Sequence, residues 1–170
     1  EEALRITEAN KATFIHPFND MDVIYGQGTI GLEIMEELED VDAVLVPIGG
    51  GGLISGISLA IKSINPNVRV IGVEPEGATT LKTSLMNGEV TELSTVQTIA
   101  DGVAVKKCGE KTYDIISKYV DDIITVSDYE LMTAFLKSLE KHKLICEQAG
   151  VLTLAACEKL NFYNKKVVCI

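Results

Sequence analysis

The stretch Val44–Ile57, VLVPIGGGGLISGI, constrains the fold more than any other part of the chain. It begins inside a β-branched apolar run, Ala43–Pro47, which has the composition of a buried strand. Four consecutive glycines follow, Gly49 to Gly52, and then apolar residues at helical spacing from Leu53 to Ile64. Ordering glycine costs more backbone entropy than ordering any other residue. Four in a row therefore mark a place where side chains must be absent. A strand that runs through such a turn directly into a helix is a βα unit, and βα units assemble into parallel sheets covered by helices.

The rest of the chain repeats the alternation. Strand-like runs fall at Ala12–His16, Ala43–Pro47, Val68–Glu74, Asp122–Val126 and Lys166–Ile170. Helical patterns fall at Gly28–Leu38, where Ile30, Ile34 and Leu38 share a face, and at Leu53–Ile64, which the Asn65–Asn67 segment NPN closes. Others fall at Gly77–Met86, ended by Asn87–Gly88, at Glu110–Lys118, and at Ala149–Leu160. Ser127 with Glu130 three residues later forms a capping box that opens a further helix. Gly26–Gly28 reads as a helix start with Thr29 near the cap, and His16–Phe18 reads as a strand-exit turn. Residues 87–108 are less regular and read as a loop excursion. The expected fold is α/β, with a mostly parallel doubly wound sheet in three αβα layers, and a single domain over residues 1–170.

A formal net charge of −10 argues against nucleic acid or an anionic membrane surface as partner. No apolar run approaches the ~20 residues of a membrane-spanning helix. Cys108, Cys146, Cys157 and Cys169 form no CxxC pair, and His16 and His142 stand apart from them. Free thiols in a reducing cytoplasm fit this pattern better than a zinc site.

Ligands of such sheets bind outside the carboxyl ends of the strands, which is where the glycines lie. The first amides of the following helix have no intrahelical acceptor, and the helix dipole adds roughly half a positive charge there. Together they make a phosphate cradle that needs no basic side chain, and an acidic chain can carry one. A dinucleotide is one candidate ligand: Gly50, Gly52 and Gly56 form GxGxxxG, and Glu74 ends the next strand where a ribose-binding acid would fall. A tetraglycine is more than a pyrophosphate turn needs.

The same stretch resembles the phosphate loop of fold-type II pyridoxal-phosphate enzymes, in the branch that holds threonine dehydratase (threonine ammonia-lyase) and serine racemase. Four more segments are similar to that family in the same order: GQGTIGLEI (Gly26–Ile34), VIGVEP (Val70–Pro75), TIADGVAV (Thr98–Val105) and CEQAGVLTLAA (Cys146–Ala156). The resemblance implies the large cofactor domain of a tryptophan-synthase-β-like fold, and pyridoxal 5'-phosphate as cofactor. It implies that the amides of Gly49, Gly50, Gly51, Gly52 and Leu53 bind the phosphate. Gly102 would lie against the pyridoxal ring, and Glu147 near the pyridine nitrogen. It also implies a divalent cation held by Glu74 and the carbonyl of Ala78. Here the chain departs from the pattern: the third position is Thr80, not an acid, which weakens a hard-cation site. Each acid also has a plainer reading. Glu74 can be a solvated or capping acid, Glu147 a helix N-terminal acid, and Asp101 a structural loop acid.

The family's chemistry uses a Schiff-base lysine in an S-F-K-x-R-G segment, and none of the lysines here has that context. The substrate-carboxylate loop S-S-G-N-H and the S-G-G-N segment are also missing. The resemblance therefore implies the carboxyl-side part of a longer enzyme, truncated at both ends, with the smaller domain absent, no catalytic residue in this chain, and no activity of the chain alone. For the intact protein it implies β-elimination of threonine or serine to a 2-oxo acid and ammonia. It also implies a small amino-acid substrate and a homo-oligomer. Serine racemisation and a dinucleotide-dependent oxidoreductase are the alternatives.

Overall fold

The computed structural model describes residues 2–170. In chain order its regular elements are α1 (Glu2–Asn10), α2 (Met21–Glu37), β1 (Ala43–Pro47), α3 (Gly52–Ile64), β2 (Arg69–Pro75), α4 (Thr80–Asn87), α5 (Glu110–Tyr119), β3 (Asp122–Val126), α6 (Asp128–Lys137), α7 (Leu152–Lys159) and β4 (Val167–Cys169). The four strands form one parallel sheet in the order β3-β2-β1-β4. Leu45 of β1 stands opposite Ile71 of β2 and Cys169 of β4.

The alternation of side chains along β1 explains the three layers. Val44, Val46 and Ile48 point into one core, with Ile54, Ile57 and Ile61 of α3, Met35 of α2 and Ile116 of α5. Ala43 and Leu45 point into the other, with Leu131 and Ala134 of α6 and Leu152, Ala155 and Ala156 of α7. Ile54, Ile57 and Ile61 are fully buried, each contributing about 2–3 kcal/mol of apolar transfer. A strand covered on both faces is apolar at every position, which is why Ala43–Pro47 shows no polar alternation. The expected parallel αβα architecture is the one observed.

Several boundaries differ from expectation, for physical reasons. Ala12–His16 forms no strand. Phe14 and Ile15 are exposed, and the segment ends in a turn where His16 Nδ1 accepts from the amides of Phe18 and Asn19. Helix α2 begins at Met21, seven residues before Gly28, because the Asp20 carboxylate caps it by accepting from Asp22 N. Gly26–Gly28 thus lies within the helix and starts nothing. Gly28 and Gly31 serve packing: a Cβ on Gly28 would lie 3.1 Å from the Gly56 carbonyl oxygen, and one on Gly31 3.0 Å from Ala60 Cβ. Helix α4 starts at Thr80, not Gly77, and stops at Asn87, where Gly88 takes φ +75° and its amide reaches Ser84 and Leu85. The last helix opens as a 3-10 turn, Ala149–Val151, before α7. The Ser127–Glu130 capping box forms as expected.

Candidate cofactor site

The tetraglycine turn leaves the carboxyl end of β1 and enters α3, with Gly51 as N-cap at φ +92°. That conformation admits glycine and strains other residues. Each glycine's missing side chain makes room for a particular neighbour. Gly49 packs on the loop after α4, where an added Cβ would lie 3.2 Å from Val103 Cα. Gly50 and Gly52 both pack on Phe18; a Cβ at Gly52 would lie 2.9 Å from Phe18 Cβ, and one at Gly50 would meet its ring. A Cβ at Gly51 would lie 2.8 Å from Ile116 Cδ1 and 3.0 Å from Thr112 Oγ1. The side-chain directions of the turn are therefore filled by the protein itself.

Its hydrogen bonds divide the same way. Gly50 O accepts from Thr112 Oγ1 at 2.8 Å, and Gly51 O accepts from Ser55 N and Ser55 Oγ. The amides of Gly49 to Leu53 find no protein acceptor among the described residues. Gly50, Gly51 and Gly52 are buried. Buried amides without acceptors are rare and mark a place for an acceptor from elsewhere.

These amides border a cleft of ≈ 360 Å³. Gly49, Gly50, Gly51, Gly52, Leu53, Gly102 and Glu147 all line it. Gly102 belongs to a short 3-10 turn, Asp101–Val103, in which Asp101 O accepts from Ala104 N. Its side-chain direction points at a second segment: a Cβ there would lie 3.0 Å from Ala149 Cβ and 3.3 Å from Glu147 Oε1. The Glu147 carboxylate thus sits beside Gly102, just before the turn that opens α7. Phe18, Val103 and Ile170 add apolar walls. By sequence Phe18 belongs to a turn, because nothing in its neighbourhood ties it to glycines 32 positions later. Among the described residues no lysine lines the cleft.

Glu74 and Ala78 are not in this cleft. Glu74 is fully buried; Oε1 accepts from Leu81 N at 2.7 Å and Oε2 from Lys82 N at 3.0 Å. It caps α4, so the capping reading is the one observed and the solvated one is not. Burial pushes its carboxyl up from 4.5 to about 7, against the two amide bonds and the Lys82 charge, which favour the anion. With both oxygens engaged below α4, Glu74 is in no position to bind a ribose. No group of three His, Cys, Asp or Glu side chains suited to a metal occurs among the described residues.

A family model described as pyridoxal-phosphate dependent enzyme matches residues 1–170. The chain belongs to the pyridoxal-phosphate-dependent enzymes. It is 51% identical over 171 residues to an L-threonine ammonia-lyase of Thermotoga maritima, covering all of this chain and 43% of that protein. It is 49% identical over 169 residues to the catabolic L-threonine dehydratase of Escherichia coli K12, covering 97% of this chain and 51% of that protein. The chain thus spans about half the length of these curated relatives. Among solved structures, threonine deaminase isoform 2 of Solanum lycopersicum superposes with a TM-score of 0.92 at 38% identity, over 98% of this chain and 50% of that one. Maize serine racemase superposes at 0.90 with 36% identity, over 98% and 54%. Membership of the pyridoxal-phosphate family removes support for the dinucleotide alternative. It also matches the cleft: five unpaired amides suit a phosphate monoester.

Proposed function

We propose that the intact protein carries out pyridoxal-phosphate-dependent β-elimination of threonine or serine, releasing a 2-oxo acid and ammonia. One observation carries the reading. The five amides Gly49 to Leu53 lack acceptors while every side-chain direction of the turn is packed shut. The names of the similar threonine ammonia-lyases and dehydratases supply the reaction class and favour threonine.

In this reading the amides and the α3 dipole hold the cofactor phosphate. Gly102 lets the ring approach main chain, and Glu147 places a carboxylate beside it. Phe18, Val103 and Ile170 give the cleft its apolar walls. The bound cofactor supplies an electron sink for charge left at the substrate α carbon. The group that moves the α proton would come from the other half of the intact protein, since no lysine among the described residues lines the cleft.

The full-length protein, purified with pyridoxal phosphate, is expected to convert threonine to 2-oxobutanoate and ammonia; residues 1–170 alone are expected to give neither. Failure of the full-length protein to release ammonia from threonine or serine overturns the assignment. The likeness to maize serine racemase favours one second reading, which D-serine formation from L-serine would identify. We further propose a homo-oligomer in the cytoplasm. The family resemblance supports the first and the pattern of cysteines, all four of them free thiols, supports the second. Among the described residues no helix is long and apolar enough to cross a membrane.

A further inference from the structure

The divalent cation implied at Glu74 and Ala78 does not fit the groups that are there. Both Glu74 oxygens are bound to α4 amides, and the N-cap residue of that helix, Thr79, makes no side-chain capping bond of its own. Glu74 thus does the work of the cap. A hard cation would draw those oxygens away and would need further oxygen ligands. The third position offers only the neutral hydroxyl of Thr80, and Lys82 adds positive charge nearby.

That hydroxyl is already committed. Thr80 is buried, and its Oγ1 donates to the carbonyl of Val105 at 2.5 Å. Thr80 is the first residue of α4, and Val105 lines the cofactor cleft, with Cγ2 3.4 Å from where a Gly49 Cβ would stand. Two other contacts reach the same loop: Leu93 N, beyond the end of α4, donates to Lys106 O, and Ser84 Oγ of α4 shares a hydrogen bond with Cys108 Sγ. The Thr80 bond is the member of the set that ends on a cleft residue.

We propose that the Thr80 hydroxyl replaces the cation: it ties α4 to the 101–108 loop and so positions the Gly102–Val105 wall of the cleft without metal. Thr80 touches neither cofactor nor substrate and is a positioning residue. The proposal rests on the cofactor reading of the cleft.

The test uses the full-length protein as wild type, Thr80→Ser, Thr80→Val and Thr80→Asp. Pyridoxal phosphate affinity is read by titration, and calcium binding by calorimetry with calcium chloride. Wild type is expected to bind no calcium and to keep its cofactor affinity in EDTA. Thr80→Val should weaken cofactor binding about tenfold through loss of the tie, and Thr80→Ser should restore it. Thr80→Asp supplies the missing second carboxylate. It should bind the cofactor weakly alone and recover when calcium is added, with a matching heat of calcium binding. Stoichiometric calcium binding by wild type, loss of its affinity in EDTA, or wild-type affinity in Thr80→Val overturns the proposal. Should Thr80→Val fail to fold by circular dichroism, the wild-type EDTA result and the Thr80→Asp calcium response decide. A wild type that takes up no pyridoxal phosphate sinks the cofactor reading instead. The tie is then read by hydrogen exchange at 101–108, which Thr80→Val speeds if the tie holds and leaves unchanged if it does not.

Discussion

Phe18 and Gly50 are in such close contact that the phenyl ring occupies the space a side chain at position 50 would need. The ring is set by its own turn: His16 Nδ1 accepts from the Phe18 amide, and the His16 and Phe18 rings meet edge to face at 4.5 Å. Gly50→Ala is therefore expected to displace Phe18 or the turn. Overpacking of this kind costs about 1–3 kcal/mol, and pyridoxal phosphate binding should weaken with it. Phe18→Ala should relieve part of the damage. A cofactor titration of the two single variants and the double variant measures the coupling, and additive losses would refute the contact.

Gly51→Ala combines two penalties. The residue sits at φ +92°, and an added Cβ would lie 2.8 Å from Ile116 Cδ1. Left-handed backbone alone costs a non-glycine residue about 1–2 kcal/mol. The variant should lower the thermal midpoint more than Gly49→Ala, whose added Cβ would stand 3.2 Å from Val103 Cα at ordinary φ. Paired melting curves check the order.

Glu74 gives stability a pH slope. Its carboxyl is raised from 4.5 to about 7 by burial. Between those values the folded protein keeps the proton and the unfolded chain has released it. Stability from this group is therefore fully present below pH 4.5, falls as pH rises, and is lost above about 7. The difference between the two values corresponds to about 3 kcal/mol. Glu74→Gln, which cannot ionise, removes this slope while losing part of the α4 cap. Urea unfolding of both proteins from pH 4.5 to 8 checks it: the stability of wild type relative to the variant should decline across the range.

Gly56→Ala should destabilise the α2–α3 pair. A Cβ at Gly56 would run into the Ile24 carbonyl and the Gly28 amide of α2. Backbone on backbone cannot yield by changing rotamer, so the helices must separate. A loss at or above the usual 1–3 kcal/mol of overpacking is expected, with Ile57 and Ile61 partly exposed as a result. Denaturant melts measure it, and an unchanged midpoint would refute the close approach of Gly56 to Ile24 and Gly28.

The layers of the fold were legible because burial on both faces makes strands such as Ala43–Pro47 continuously apolar, and helices such as Leu53–Ile64 one-sided. The Ser127–Glu130 box was legible because its chemistry is local. The start of α2 was not: the helix carries glycines at 26, 28 and 31, which read as breakers, and only the approach of α3 gives Gly28 and Gly31 a reason. Ala12–His16 has strand composition, but strands need a partner to hydrogen-bond and none among the described residues pairs with it. That Gly49 to Gly52, Gly102 and Glu147 share one cleft was legible through motif resemblance. Phe18 and the Thr80–Val105 bond were not, since both join segments distant in sequence. Glu74 shows the limit from the other side: its place at a strand end was readable, and its direction, under α4 and away from the cleft, was not.

The division of labour in the tetraglycine turn reverses the usual logic of mutating a site. Where side chains grip a ligand, truncating them abolishes binding. In the proposed reading the grip belongs to peptide groups that every residue except proline possesses. Alanine scanning should then find its largest effects where it adds an atom, at Gly50 and Gly51, and not where it takes atoms away at Leu53. This part of the molecule is damaged by gain and spared by loss.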